Sequence, residues 1–316
     1  MISIFGPQFI RSPCEAPSWQ LITMDFKLLI VLALKISISL IVFDLGLNAT
    51  LADALTLLRR PRELSRAFLS MNVLMPALAL AMALNFNFHP AVKIVLVALS
   101  VAPVPPMLPR KALKEGGRKD YTVGLLVAMA LLAIVVIPVT MKIFQPFTGV
   151  RLREPVSSVS WLVLERILLP LSAGIALRGL APGMTKRLVR PIGILATALL
   201  VLSVLPVLFV SRREILSLIG DGTILAFTVF VLAGLAIGYW LGGPDSEDRR
   251  VLSLATSSRH PGMALAMAHA NFPHQKLDMS AMALYLIVNA VLLALLSAKH
   301  KRNVAAAPPA EGRKAA

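Results

Sequence analysis

The residues with the most chemistry in this chain are Ser257, Ser258, Arg259 and His260, followed at once by Pro261 and Gly262. They interrupt an apolar stretch from Val251 to Ala270. Arg259 carries five N–H donors in a rigid fork, a geometric match for a carboxylate. The guanidinium therefore pairs with an anionic ligand, or else it neutralises a carboxylate such as Asp44 or caps freed backbone carbonyls. His260 titrates near neutral pH when free, so it can carry a coupled proton. Alternatively it stays neutral and bonds the backbone released by Pro261. Pro261 and Gly262 form the helix break, with Gly262 letting another backbone approach. Charge is costly at bilayer depth, and broken backbone survives there only against protein or a watery cavity. The segment reads as a transport site, with Arg259, His260, Ser257 and Ser258 facing a small ligand.

A second irregular stretch runs Ala102-Pro103-Val104-Pro105-Pro106, then Leu108, Pro109, Arg110 and Lys111. Pro103 and Pro109 are expected to break this segment. Pro105, Pro106 and Arg110 are expected to approach the same site from the other side. The alternative for Arg110 and Lys111 is snorkelling to headgroups at the membrane interface.

These residues need membrane helices to position them. Of 316 residues, 57% are hydrophobic and 15% charged, with a mean hydropathy of +0.78. Soluble domains hold less apolar sequence. Nine apolar segments fall at about 26–46, 64–85, 90–108, 121–143, 159–180, 188–210, 222–243, 250–270 and 279–298. They lack strand alternation and approach the ~20 residues of a spanning helix. The expected architecture is an all-α polytopic membrane protein, with a transporter domain over 26–298. Residues 1–25 form an N-terminal tail whose first 23 residues precede a second possible start at Met24. Residues 299–316 form a basic, disordered cytoplasmic tail.

The net charge of +16 reports topology rather than nucleic-acid binding. Alternate connections and the C-terminal tail carry 20 of the basic residues, against 7 on the opposite side. The positive-inside rule then places the N-terminus outside and the C-terminus in the cytoplasm, in a bacterial-type inner membrane. The interrupted third and eighth segments run in opposite senses. That is the pattern of an inverted repeat with a midplane site, over about 26–143 and 159–298. Cys14 is the single cysteine, so no intrachain disulfide forms, and no cofactor or metal is expected. His269 and His274 are too dispersed to hold a metal. Met107, Met263, Met267 and Met279 read as flexible packing or path lining. Lys35, near mid-span, is expected to face a cavity or a carboxylate. Intramembrane acids reduce to Asp44 and Glu165, with no paired carboxylates, which argues against an enzyme.

Phe43-Asp44-Leu45-Gly46-Leu47, Ala102-Pro103, Ser257 to Ala264 and Ala268 to Pro273 resemble, in order and spacing, motifs of the bile acid:sodium symporter family. Arg166 and Asn289 have counterparts there too. The resemblance covers about residues 26–298. It implies two inverted repeats with crossing broken helices, a panel rocking against a core, and a small organic anion as cargo. The family's first helix is missing here. The resemblance also implies sodium ligands that this chain lacks. The glutamate position falls at about Ala255 or Thr256, the glutamine position at Arg259 and the asparagine position at His260. The earlier asparagine aligns near Pro109 or Arg110. A guanidinium has no acceptor and repels a cation. The sodium sites are therefore expected to be degraded, with Thr256 and His260 left as ion-coupling candidates and Asn289 as a ligand contact. Sodium or proton coupling stays open, as does a receptor-like protein that keeps the fold without transport.

Overall fold

The computed structural model describes residues 18–148, 156–220, 222–272 and 277–306. The predictions made for Cys14, His274 and the ends of the two tails lie outside these residues. All regular structure among the described residues is helical. Helix α1 runs Ser18–Asn48. A one-turn helix, Leu51–Leu55, follows with a Thr50/Asp53 capping box. Then come α2, Pro61–Asn85, α3, Pro90–Val101, α4, Leu108–Lys114, and α5, Lys119–Thr148. The second half holds α6, Val159–Leu180, α7, Pro182–Val210, and the short α8, Arg212–Ser217. It ends with α9, Thr223–Leu241, α10, Ser246–Ser257, α11, Pro261–Asn271, and α12, Asp278–Ala306.

Six helices are long and apolar enough to cross a bilayer: α2, α5, α6, α7, α9 and the Asp278–Ala298 part of α12. The other three of the nine expected segments are α1, which carries Lys35 and Asp44, and the two interrupted ones. Each interrupted segment consists of two short helices, α3 with α4 and α10 with α11. The chain is an all-α integral membrane protein. Two boundaries differ from expectation. α1 already begins at Ser18, and α12 continues to Ala306, where the sequence suggests a tail from Lys299. Alanine and lysine favour helix.

The helices pack in two groups. α1, α6 and α7 lie chiefly against one another. A Cβ on Gly46 would stand 2.4 Å from the Leu171 carbonyl oxygen and 3.0 Å from the Gly174 Cα. Only glycine at both positions lets α1 and α6 backbones approach this closely. In the second group, α9 lies along α10. Here Gly234, Gly238 and Gly242 face the backbones of Ser257, Ser253 and Arg249, at 2.8, 2.6 and 2.4 Å from a hypothetical Cβ to each Cα. Ser253 Oγ ties the pair by donating to the Leu235 carbonyl at 2.7 Å.

The basic end of this group is held by Arg118. It reaches Asp120 at 2.9 Å, Asp248 at 3.3 Å, Glu63 at 3.5 Å and Asp245 at 3.6 Å. Asp248, in the first turn of α10, is 3% exposed. Burial is the largest influence on its carboxyl and raises its pKa from 3.8 to about 6. Arg118 opposes this, while Glu63, Asp245 and Asp120 add to it. A carboxyl raised on folding binds its proton more tightly in the native state. Its contribution is thus most favourable at low pH and is lost as pH rises from about 4 to about 6. Asp248→Asn is expected to flatten this part of the stability curve and to raise the melting temperature at pH 7 relative to the parent. The cost removed is at most about 3 kcal/mol. Thermal unfolding in detergent between pH 4.5 and 7.5 tests it; parallel curves for the two proteins would contradict it.

Candidate functional site at the helix crossing

Proline shapes both breaks. A residue before proline is pushed out of the helical region. Ala102, before Pro103, has ψ 145°, and His260, before Pro261, has ψ 102°. The chain is non-helical at Ser258–His260 and across Ala102–Met107. The two extended stretches meet, because the His260 amide donates to the Pro103 carbonyl at 2.9 Å. Pro103 is thus part of the break itself. Pro109 and Pro261 instead lie in the first turns of α4 and α11, where a missing N–H costs nothing. Pro105 and Pro106 are buried inside the break. Gly262 is not an approach point for foreign backbone. A Cβ there would meet the His260 ring, at 3.3 Å from Cε1.

Arg259 is 2% exposed. Its Nη1 donates to the Ala102 carbonyl at 3.1 Å, and its Nη2 donates to the Met71 carbonyl. Both acceptors are carbonyls that local structure has released. Ala102 ends α3. Met71 sits in a π-bulge of α2, Leu69–Leu74, and its partner five residues on would be Pro76, which has no N–H. The Arg259 amide donates to the Tyr285 hydroxyl oxygen at 3.3 Å. That hydroxyl donates to the Ser257 carbonyl at 3.0 Å. Arg259 Nε is buried with no hydrogen-bond partner. The guanidinium is therefore bound to backbone oxygen and makes no ion pair with Asp44.

His260 is 6% exposed. Its Nδ1 accepts from the Met263 amide at 3.2 Å and caps α11. An accepting Nδ1 assigns the ring proton to Nε2, which is buried and unpartnered. Thr256 shares a 2.7 Å hydrogen bond with Ser70 of the π-bulge. Ser257 Oγ turns back to the Leu254 carbonyl at 3.1 Å. Asn289 Nδ2 reaches Ser258 Oγ at 3.5 Å, and its Oδ1 is buried without a partner. The crossing thus joins Thr256, Ser257, Ser258, Arg259, His260 and Asn289 with Pro103.

Arg110 lies elsewhere, bridging the two helix groups. Its Nη2 and Nε bind Asp44 Oδ2 at 2.6 and 3.1 Å. Its Nη1 donates to Thr197 of α7 at 3.2 Å. Lys35 is exposed. Arg166 sits in a second π-bulge, Leu164–Leu168 on α6, with Glu165 Oε1 at 3.6 Å. The available signal was Pro170, which denies an N–H to the Glu165 carbonyl five residues earlier.

The model of the sodium bile acid symporter family matches residues 35–218. No curated protein matches the chain. The match takes in α3, the first break, Arg110 and the α1–α6–α7 group, and ends before Arg259. It covers more than half of the chain, which belongs to the sodium bile acid symporter family. That family is one of membrane solute transporters.

Proposed function

We propose that this chain is a secondary carrier for a small organic anion, in which Arg259 stands where a coupling sodium ion would otherwise bind. The position of that guanidinium carries the reading. A sodium ion at two crossing broken helices would be held by released carbonyl and hydroxyl oxygens. Here those of Ala102 and Met71 already hold a cation that belongs to the chain. A second positive charge at this place would meet repulsion in a low dielectric. An anion is favoured for the same reason. Arg166 belongs to the α1–α6–α7 group, and the unpartnered Nε2–H of His260 belongs to the other. A carboxylate or sulfonate bridging them would join panel to core, and rocking of the panel would expose it to either side. The N-terminus is assigned to the outside of an inner membrane by the loop charges.

The coupling route is a proton at His260, taken up together with the anion, whose negative charge offsets the positive charge added beside Arg259. A proton added at Nδ1 displaces the Met263 amide and uncaps α11, so protonation and break geometry are linked. Uptake of labelled organic anions into proteoliposomes, with sodium and pH gradients imposed separately, tests the reading. The expected result is saturable uptake that is driven by pH and unchanged when sodium is replaced by choline. Strict sodium dependence would overturn it. Saturable binding without flux would identify the non-transporting receptor instead.

A further inference from the structure

A cavity of about 390 Å³ opens among α2, α3, α5 and α11, at the end of the molecule away from Arg118. Leu84, Ile94, Val97, Met141, Met267 and Phe272 supply much of its wall. None of its lining residues belongs to α1, α6 or α7, and none belongs to the crossing. It is therefore a compartment of one helix group and not part of the boundary that a carried solute would use.

Among the described lining residues, Lys93 is the one that carries a charge. It lies three residues past the start of α3 at Pro90, about 4.5 Å along the axis. A helix that enters a bilayer has its ends toward the headgroups, so Lys93 stands near the entry end of α3 rather than at its middle. Val97 and Ala98 line the cavity one turn and more deeper. The space thus has a cation at its mouth and apolar walls running toward the bilayer centre. Among the described residues, Lys93 makes no side-chain hydrogen bond or ion pair. The walls of the cavity are mostly apolar, and a lysine beside such a space gains from an opposite charge.

We propose that this cavity binds a single-chain anionic amphiphile, with the carboxylate at Lys93 and the alkyl chain lying between α3 and α11. Those helices are halves of the two crossing segments, so an occupant sets the spacing of the crossing from one side. Because no wall rides on α1, α6 or α7, the amphiphile stays in place while the panel moves. It is a resident ligand, not cargo. The site stands or falls independently of the transport reading, since its test measures binding alone.

The probe is 11-(dansylamino)undecanoic acid, followed by fluorescence on purified protein in nanodiscs of zwitterionic lipid. Dodecanoate is expected to displace it about fivefold better than dodecanol, the worth of a roughly 1 kcal/mol charge pair. Lys93→Gln should erase that preference, and Ala98→Phe should abolish binding by filling the cavity. Ala98 is buried, so Ala83→Phe at the partly exposed wall of α2 serves as a second blocking variant. Thermal melting establishes that each variant is folded. Displacement by a lysophospholipid as readily as by dodecanoate assigns the same site to a membrane source. Equal displacement by dodecanol and dodecanoate in the parent, or unchanged binding in Lys93→Gln and both blocking variants, would overturn the proposal.

Discussion

Replacing Arg259 by serine is expected to reduce anion uptake to less than about a tenth and to make a sodium-insensitive protein sodium-sensitive. The side chain leaves behind the carbonyls of Ala102 and Met71, near the Ser70–Thr256 hydroxyl pair. Each buried carbonyl left unmet costs about 1–3 kcal/mol, so two cost about 2–6 kcal/mol. A loss of that size lowers the melting temperature by about 3–9 °C for a chain of this length. The vacated space is lined by neutral oxygen and no longer by positive charge. Such oxygens suit a hard cation, and anything that binds only the folded state stabilises it by mass action. The melting temperature of Arg259→Ser should therefore be lower in choline chloride than in sodium chloride at equal ionic strength, while the parent melts equally in both. Arg259→Lys keeps a charge but loses the fork, and should recover stability better than uptake. A serine variant that transports fully and melts like the parent in both salts would remove the guanidinium from the mechanism.

The breaks were legible in the sequence because lipid makes them conspicuous. A hydrocarbon core tolerates neither a lone arginine nor clustered prolines, so Arg259 and Pro103 to Pro106 stood out against apolar surroundings. The partners of Arg259 were not legible. Its acceptors are backbone carbonyls 157 and 188 residues away, and every residue has a carbonyl. Only the π-bulge and Pro76 make the Met71 oxygen special, and a π-bulge leaves little trace in hydropathy. Arg110 was drawn toward the site by its nearness to Pro109. The ion pair that claims it depends on how α1 lies against α4, which hydropathy does not specify. The roles of Pro109 and Gly262 turned on one or two residues. One starts a helix and the other makes room for an imidazole.

Neutralising Asp44 is expected to loosen the two helix groups at the basic end and to bias the carrier toward the state open there. Asp44 on α1 and Thr197 on α7 hold Arg110 of α4 from the panel side. Gly193 makes the space, since a Cβ there would stand 3.2 Å from Arg110 Nη2. Asp44 and Arg110 side chains are only 10% and 25% exposed, so solvent screens the pair little. A hydrogen-bonded charge pair of this kind contributes about 1.5–3 kcal/mol. If the pair exists in one state of the transport cycle and not the other, its loss shifts the population between them by about 10- to 150-fold. Asp44→Asn should then raise thiol labelling of a reporter cysteine beside Arg110, in a background with Cys14 replaced, and slow net turnover. The exchange Asp44→Arg with Arg110→Asp should return labelling toward the parent, because the attraction is restored while each single change leaves like charges or an unpaired ion. A short bis-thiol cross-linker between cysteines at positions 44 and 197 on one side and 110 on the other should stop uptake until it is cleaved. Since α1 and α7 belong to one group, a 44-to-197 link serves as the control that leaves uptake equal to that of the same double-cysteine protein before cross-linking. Full uptake with either cross-group link in place would mean that α4 never separates from α1 and α7. The pair would then be a fixed brace, and the moving boundary would have to lie elsewhere in the fold.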